Sequence, residues 1–338
     1  MMSILARAPK NSWQPVMTAD TTISSYWLNW RFLLCCIWVL ASMVFAAVLI
    51  IKYEGPRIRK NGSNENKKES PGLLYQDEVW RPCLKTIHPA WLLAFRVFAF
   101  MILLLLLILN VTVDGGEIFY YYTQWTFTLI TIYFAIGSVL SMYGCYKCHN
   151  KVGIDGTDVE RLDIEYGSQS SVAAKHIGEN VEQTSRQIAE FWEYFFQIIF
   201  QMNAGAVTLT DCVFWFILVP YLTIKGYKLN FWIINMHSVN VVFLLGDTAM
   251  NCLRFPWFRI GYFFMWTGIY VIFQWAVHAC ISIWWPYPFL DLSSAFSPLW
   301  YLLVAFMHIP CYGIFVLVIK LKHHLFSKWF PQSYRCAR

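Results

Sequence analysis

Predominantly apolar stretches recur along the chain, and seven are long enough to cross a bilayer as helices. A transmembrane helix needs roughly 20 mainly apolar residues, so each stretch predicts one span. The fourth is the most polar, since it contains Glu193, Gln197 and Asp211. The pattern therefore predicts an all-α polytopic membrane helical bundle with about seven transmembrane helices, at Trp27–Ile51, Pro89–Asn110, Phe119–Tyr143, within Phe191–Val219, Phe231–Met250, Ile260–Trp285 and Leu299–Lys320.

The fifth stretch carries polar residues in a regular pattern. At about 100° per residue, His237, Asn240, Asp247 and Asn251 fall within one narrow stripe, with Leu244 between them. Polar and ionisable groups are costly in hydrocarbon, so this stripe should face the protein interior or a wet cavity. A functional stripe is favoured over one that only hydrogen-bonds a neighbouring helix.

Lys and Arg alternate between the connections of the predicted spans. Twenty lie in 52–88, 144–190, 251–259 and the tail from Lys320, against four in 1–26, 111–118, 220–230 and 286–298. The positive-inside rule then places the N-terminus outside and the C-terminus in the cytosol. The expected organisation is an N-terminal tail 1–26, a transmembrane domain 27–322 with cytosolic loops 52–88 and 144–190, of which 144–186 is flexible, and a cytosolic tail 323–338.

Composition agrees with a multi-pass membrane protein of the plasma membrane or endoplasmic reticulum. The chain is 58% hydrophobic and only 14% charged, whereas soluble domains are about a quarter charged. The net charge of +6 follows the connections rather than forming a basic patch, so no nucleic acid is expected as a partner. The ten Cys do not resemble a secreted disulfide framework. Residues 1–25 lack the apolar segment of a cleavable signal peptide.

Two short motifs lie near the predicted membrane surfaces. The aromatic and proline-rich stretch Trp284–Phe289 is typical of the outer interface, where non-helical backbone and aromatic rings are tolerated. Cys145 to His149 matches the CxxCH pattern of c-type haem attachment. Its predicted cytosolic position favours palmitoylation of Cys145 or Cys148 over haem attachment.

Several polar residues inside the spans are candidates for chemistry. Thr123 and His237 are both predicted in the outer third of the bilayer, and a hydroxyl with an imidazole is the minimum for His-activated nucleophilic attack. Asp211 is placed to orient that imidazole, with a polar contact between helices as the equal alternative. Asn240 and His278 are further candidates for binding. No metal or cofactor is expected, although His237, His278 and His308 leave a bis-His b-type haem open.

The stretch FYYYTQWTFTLITIYF around Thr123, the sequence Asn235-Met-His237 followed by an apolar run to Asp247, and Tyr287-Pro-Phe-Leu290 resemble the rolling-stone-like multi-pass membrane proteins. More distantly, the chain is similar to the androgen-induced membrane hydrolases of fatty acid esters of hydroxy fatty acids. The resemblance runs from the second to the seventh span. It implies an intramembrane threonine nucleophile at Thr123 and a catalytic histidine at His237. The sequence departs in having Asp rather than Glu ten residues after the histidine.

The favoured function is hydrolysis of a lipid ester in an outer-leaflet-facing cleft between spans three, four, five and six. Thr123 would attack the acyl carbonyl, and His237 would act as base and then as acid. The expected partners are the lipid bilayer and a lipid ester. The alternative is a non-enzymatic scaffold or a lipid or solute carrier, which would depend on Asp247 and Asn251, deeper along the polar stripe.

Overall fold

The computed structural model describes residues 17–54, 72–162, 187–220 and 231–336, except for the side chains of 151–162 and 231–233. The regular secondary structure in these ranges is helical, with no β-strand among them. The main helices are α1 (Trp30–Glu54), α2 (Pro89–Asp114), α3 (Tyr122–Leu162), α4 (Phe191–Val213), α5 (Phe231–Met236), α6 (Val239–Met250), α7 (Ile260–Cys280) and α8 (Ser297–Trp329). Shorter helical segments are Ser24–Trp27, Asp77–Trp80, the 3-10 turns Gly116–Tyr120, Trp257–Arg259 and Pro288–Leu290, and a π-helical turn Phe214–Leu218 that continues α4.

Six helices in the described part of the chain are long and apolar enough to cross a membrane, namely α1, α2, α3 as far as Asn150, α4 with its π-helical turn, α7 with the preceding 3-10 turn, and α8. Their lengths run from 24 to 33 residues, against the roughly 20 that a bilayer requires. The chain is therefore an all-helical integral membrane protein with several spans.

The stretch expected to form the fifth span, Phe231–Met250, is not one continuous helix. It consists of α5 and α6, separated by a turn at His237 and Ser238. Trp215 Nε1 donates to the carbonyl of His237 at 3.1 Å, so this carbonyl is bound by another element. The 12 residues of α6 rise only about 18 Å, less than the hydrocarbon core of about 30 Å.

Helix α4, the least apolar of the six, lies at the centre of the bundle against α3, α6, α7 and α8. Of the residues in its most apolar stretch, 61% are buried inside the protein, compared with 17% for α1 and 22% for α2. Gln197 and Gln201 both donate to the carbonyl of Arg254, and Asn203 donates to that of Ile199. Because these amides find partners inside the bundle, α4 does not need an apolar surface on all sides.

Part of the loop predicted to be flexible is helical. Helix α3 continues to Leu162, so the expectation of a flexible loop is wrong for 144–162; the rest of it, 163–186, lies outside the described residues. At Gly144 an added Cβ would lie 2.2 Å from Cγ of Trp80. Because Gly144 has no Cβ, Trp80 of the segment Asp77–Trp80 can pack directly on the backbone of α3 at this position.

The stretch after α7 was expected to be an aromatic interface. The helix does end there, at Cys280, but Trp285, Tyr287 and Leu290 are buried in the protein. Trp285 stacks on His278 with ring centroids 3.7 Å apart and donates Nε1–H to the Tyr26 hydroxyl at 3.0 Å. Residues 281–296 therefore form a capping segment whose central part packs inward. The expectation that its aromatic rings face the membrane interface is wrong for Trp285 and Tyr287, because both rings are buried in the protein.

Candidate functional site

An apolar cavity lies between α3, α4, α7 and the capping segment. Its volume is ≈ 60 Å³, several times the ~10–15 Å³ that one water needs. We call it the first cavity. Its lining residues are Tyr122, Thr123, Leu209, Thr210, Val213, Phe214, Leu218, His237, Thr267, Tyr270, Val271, Tyr287, Phe289, Leu290 and Val304. Thr123 and His237 thus line one chamber, although they lie on different elements.

Thr123 is the second residue of α3, where backbone N–H groups have no partner within the helix. Both its N–H and its Oγ1 lie 3.4 Å from the hydroxyl oxygen of Tyr287. The threonine is nine-tenths buried. Its hydroxyl is therefore held by Tyr287 and does not hydrogen-bond His237 in this structure.

His237 lies in the turn between α5 and α6 and is held on two sides. Its Nδ1 lies 3.2 Å from Oδ1 of Asp211 on α4, and its ring stacks on Phe214 with centroids 3.7 Å apart and planes at 2°. A carboxylate accepts hydrogen bonds, so Nδ1 carries the proton in this pair, and Nε2 of the neutral ring has the lone pair. Asp211 thus orients an imidazole whose second nitrogen is available as a base.

Two other predicted binding residues do not line this cavity. Asn240 is buried at the start of α6, and its Oδ1 accepts from the backbone N–H of Val241 at 2.8 Å. His278 is buried beneath Trp285, and its Nδ1 donates to the carbonyl of Gln274 at 2.8 Å. His278 thus packs within the bundle, whereas the side chain of Asn240 lies within reach of the Asp211 carboxylate, next to His237.

The three intramembrane histidines are not paired. His237 lines the first cavity, and His308 lines a neighbouring one without His237. His278 stacks on Trp285 and is not a lining residue of either cavity. Bis-His haem ligation needs two rings facing one site, and the described residues do not provide that arrangement.

Asp247 and Asn251, on which a carrier was expected to depend, belong to a closed buried network. Asp247 Oδ1 accepts from Arg96 Nε at 2.7 Å, with both side chains fully buried. Oδ2 of the same carboxylate accepts from Asn251 at 2.8 Å and from the Tyr133 hydroxyl. Because each carboxylate oxygen already has donors, this end of the polar stripe serves to join helices.

Sequence reasoning did not include Tyr287, Thr267 or His308 in the proposed hydrolase site, and it considered His308 only as a possible haem ligand. Tyr287 holds Thr123, as described above. Thr267 and His308 form a hydrogen bond of 2.8 Å between α7 and α8. The sequence contained one signal, His308 inside an apolar span, but nothing in its spacing indicated Thr267 as the partner, since the two residues lie 41 positions apart.

Comparison of the chain with protein-family models, with curated proteins and with solved structures gives no match.

Proposed function

We propose that the protein is an intramembrane lipid-ester hydrolase with Thr123 as nucleophile and His237 as base. The observation that carries this proposal is the shared chamber, in which Thr123 and an imidazole held by Asp211 line one apolar cavity. A cavity with apolar walls and a few polar groups suits a lipid acyl group whose ester is the only polar part. Activation of a weak hydroxyl nucleophile by an oriented imidazole is the general requirement for such chemistry.

In the proposed reaction, the Thr123 hydroxyl turns from Tyr287 towards Nε2 of His237. Oγ1 attacks the acyl carbonyl carbon while its proton passes to Nε2, and the alcohol leaves with that proton as the C–O bond breaks. A water molecule, deprotonated by His237, then hydrolyses the acyl-threonine and releases the fatty acid. Asp211 stabilises the imidazolium that forms in each step.

Charge on the attacked carbonyl oxygen would be stabilised at the start of α3. The Tyr287 hydroxyl lies 3.4 Å from Oγ1 of Thr123, and the positive end of the helix dipole at the start of α3 favours negative charge. Burial raises the pKa of Tyr287 above its ordinary value. The phenol therefore stays protonated at neutral pH and remains a donor.

The finer features of the sequence interpretation belong to the same proposal. The first is membership of the rolling-stone-like family. The second is that α5 and α6 together form the predicted fifth span, which brings the total to seven. The third is an exoplasmic N-terminus with a cytosolic C-terminus. The Lys and Arg alternation supports the orientation. With this orientation, the first cavity lies towards the outer leaflet. Thr123 lies at the start of α3, and the other end of α3 leads into the predicted cytosolic connection 144–190.

Hydrolysis of a long-chain ester by purified protein in lipid nanodiscs tests the mechanism. Thr123→Val should remove the turnover that this site supports, and His237→Gln should reduce that turnover by about 10²–10⁴-fold, the usual contribution of a general base. The double variant should be scarcely worse than either single variant, because the residues act as one unit. Asp211→Asn should cause a partial loss.

Thr131→Val is the matched control, since Thr131 lies buried on the same helix and donates only to the carbonyl of Phe127 at 2.7 Å. It should retain wild-type turnover. Full turnover by a folded Thr123→Val variant would exclude Thr123 as the nucleophile.

A further inference from the structure

A second apolar cavity adjoins the first on the side of α1 and α8. Its volume is ≈ 50 Å³. The two cavities share five lining residues: Thr267, Val271, Phe289, Leu290 and Val304. Of these, only Thr267 carries a side-chain hydroxyl. A polar group therefore lies in the wall common to two apolar chambers.

Thr267 is the centre of a chain of hydrogen bonds between three helices. Its Oγ1 lies 2.8 Å from Nε2 of His308 on α8 and 2.9 Å from the hydroxyl of Tyr122 on α3. The contact to its own helix, at the carbonyl of Phe263, is longer at 3.3 Å. The hydroxyl is therefore held mainly by the histidine and the tyrosine rather than by the back-bond usual for a helical threonine.

The tautomer of His308 follows from its other nitrogen. Nδ1 lies 2.8 Å from the carbonyl of Val304, and a carbonyl only accepts, so Nδ1 carries the proton. In the neutral ring Nε2 then has the lone pair and accepts the proton of the Thr267 hydroxyl. Tyr122 in turn donates to Thr267 Oγ1. The hydrogen bonds thus run in the direction that suits Thr267 as a nucleophile, His308 as its base and Tyr122 as a hydrogen-bond donor.

The ring of His308 is also fixed in orientation. It packs between Phe263 and Phe264, with centroid distances of 4.3 and 4.7 Å. The base atom must lie about 2.6–3.2 Å from the heavy atom that carries the proton to be removed. His308 meets this requirement for Thr267, whereas Thr123 is held by Tyr287.

We propose that Thr267 is a second nucleophile, activated by His308, that reacts with the acyl group of a lipid ester lying across the two cavities. Oγ1 of Thr267 attacks the carbonyl carbon, its proton passes to Nε2 of His308, and the departing alcohol takes that proton. Water then hydrolyses the resulting acyl-threonine. This site goes beyond the proposed function, because it uses neither Thr123 nor His237.

The test is covalent labelling of the full chain in lipid nanodiscs with a lipophilic alkyl fluorophosphonate. The reagent forms a bond between phosphorus and the nucleophilic oxygen and loses fluoride, and the proton passes to the base. Mass spectrometry of the digested protein identifies the labelled residue. The variants are Thr267→Val, Thr267→Ser, His308→Gln and Thr123→Val, with Thr131→Val as control and thermal unfolding as the check of folding.

Label on Thr267 is expected in the wild type, in Thr123→Val and in Thr131→Val. It should be lost in Thr267→Val, retained on the serine of Thr267→Ser, and reduced at least tenfold in His308→Gln. The absence of label from Thr267 in folded wild-type protein would overturn the inference, including the case in which only Thr123 is labelled. The proposed function fails by a different result, namely undiminished ester hydrolysis by Thr123→Val.

Discussion

Asp211 and Asp247 are both carboxylates inside the helical bundle, and their neighbours suit them to different roles. Asp247 receives hydrogen bonds from Arg96, Asn251 and Tyr133. Asp211 instead faces Nδ1 of His237 at 3.2 Å, and an imidazole can accept and return a proton during a reaction. The guanidinium partner fits a structural ion pair, and the imidazole partner fits proton transfer.

Tyr287 provides a test at the level of a single hydroxyl. Removal of one donor from an oxyanion site typically reduces kcat by about 10²–10³-fold, and we expect Tyr287→Phe to lower kcat for ester hydrolysis by a factor in that range with little change in KM. The measurement is steady-state hydrolysis in nanodiscs. Tyr312→Phe is the control, because Tyr312 is also a buried tyrosine but donates to the carbonyl of Pro256 at 3.2 Å and lines neither cavity. Unchanged kcat in Tyr287→Phe would remove Tyr287 from the mechanism.

At the scale of elements, the buried Arg96–Asp247 pair links α2 to α6 and reaches α3 as well. Arg96 Nη1 donates to the Ser141 hydroxyl and to the carbonyl of Val79, both at 2.8 Å. Its guanidinium also lies 5.0 Å from the ring centroid of Phe196 on α4. The guanidinium on α2 thus contacts α3, α4, the segment Asp77–Trp80 and the short helix α6, which is not long enough to be held by the bilayer alone.

We therefore expect Asp247→Asn and Arg96→Gln to impair folding rather than catalysis. Removal of one partner of a buried ion pair typically costs 3–5 kcal/mol, because the other charge stays buried without compensation. Thermal unfolding in detergent should show a large fall in midpoint for either variant. Arg81→Gln, which breaks the partly exposed pair with Asp77 at 3.2 Å, should cost less than about 1 kcal/mol. A fully stable Asp247→Asn variant without turnover would instead give Asp247 a functional role.

At the scale of the whole molecule, the end of the bundle that carries the C-terminal tail has two features that bear on its side of the membrane, a concentration of Lys and Arg and a disulfide bond. Lys and Arg are concentrated in the connections at this end, which favours the cytosol. Cys252, just after α6, forms a disulfide with Cys336 in the C-terminal tail, and disulfides are rare in the cytosol. The disulfide was not expected from the sequence. The proposed orientation rests on the charge distribution, which involves 24 Lys and Arg residues in the connections and tails.

The orientation is tested by single cysteines at two exposed positions, Ala295→Cys in the capping segment and Gln332→Cys in the tail. With an impermeant maleimide added to intact cells, the first should be labelled and the second protected until the membrane is permeabilised. Alkylation of Cys252 and Cys336 in rapidly quenched cells should find free thiols, and the disulfide should form on oxidation of the purified protein. Labelling of Gln332→Cys in intact cells, with an intact disulfide, would invert the orientation.

Part of the site could be predicted from the sequence. Thr123, His237 and Asp211 were identified because hydroxyl, imidazole and carboxylate groups are conspicuous in apolar spans, and span order gave their approximate depth. The structure places Thr123 and His237 in one chamber and Asp211 beside His237. The pairing of Thr267 with His308 could not be predicted, since it depends on how α7 and α8 are rotated about their axes.

The sequence by itself determined the all-helical membrane class, most of the spans, and the burial of Asn240, Leu244, Asp247 and Asn251 on one face. The reason is that transfer of a segment into a bilayer depends on the sum of its own residues, and a polar stripe must avoid lipid whatever its neighbours.

Only the tertiary structure decided where α5 ends, which way Trp285 and Tyr287 face, and which hydroxyl meets which histidine. Each of these depends on partners distant in sequence, such as Trp215 for the carbonyl of His237 and Tyr26 for Trp285. Hydrogen bonds of this kind form only after the helices pack, because packing sets the rotation and depth that bring donor and acceptor within about 3 Å.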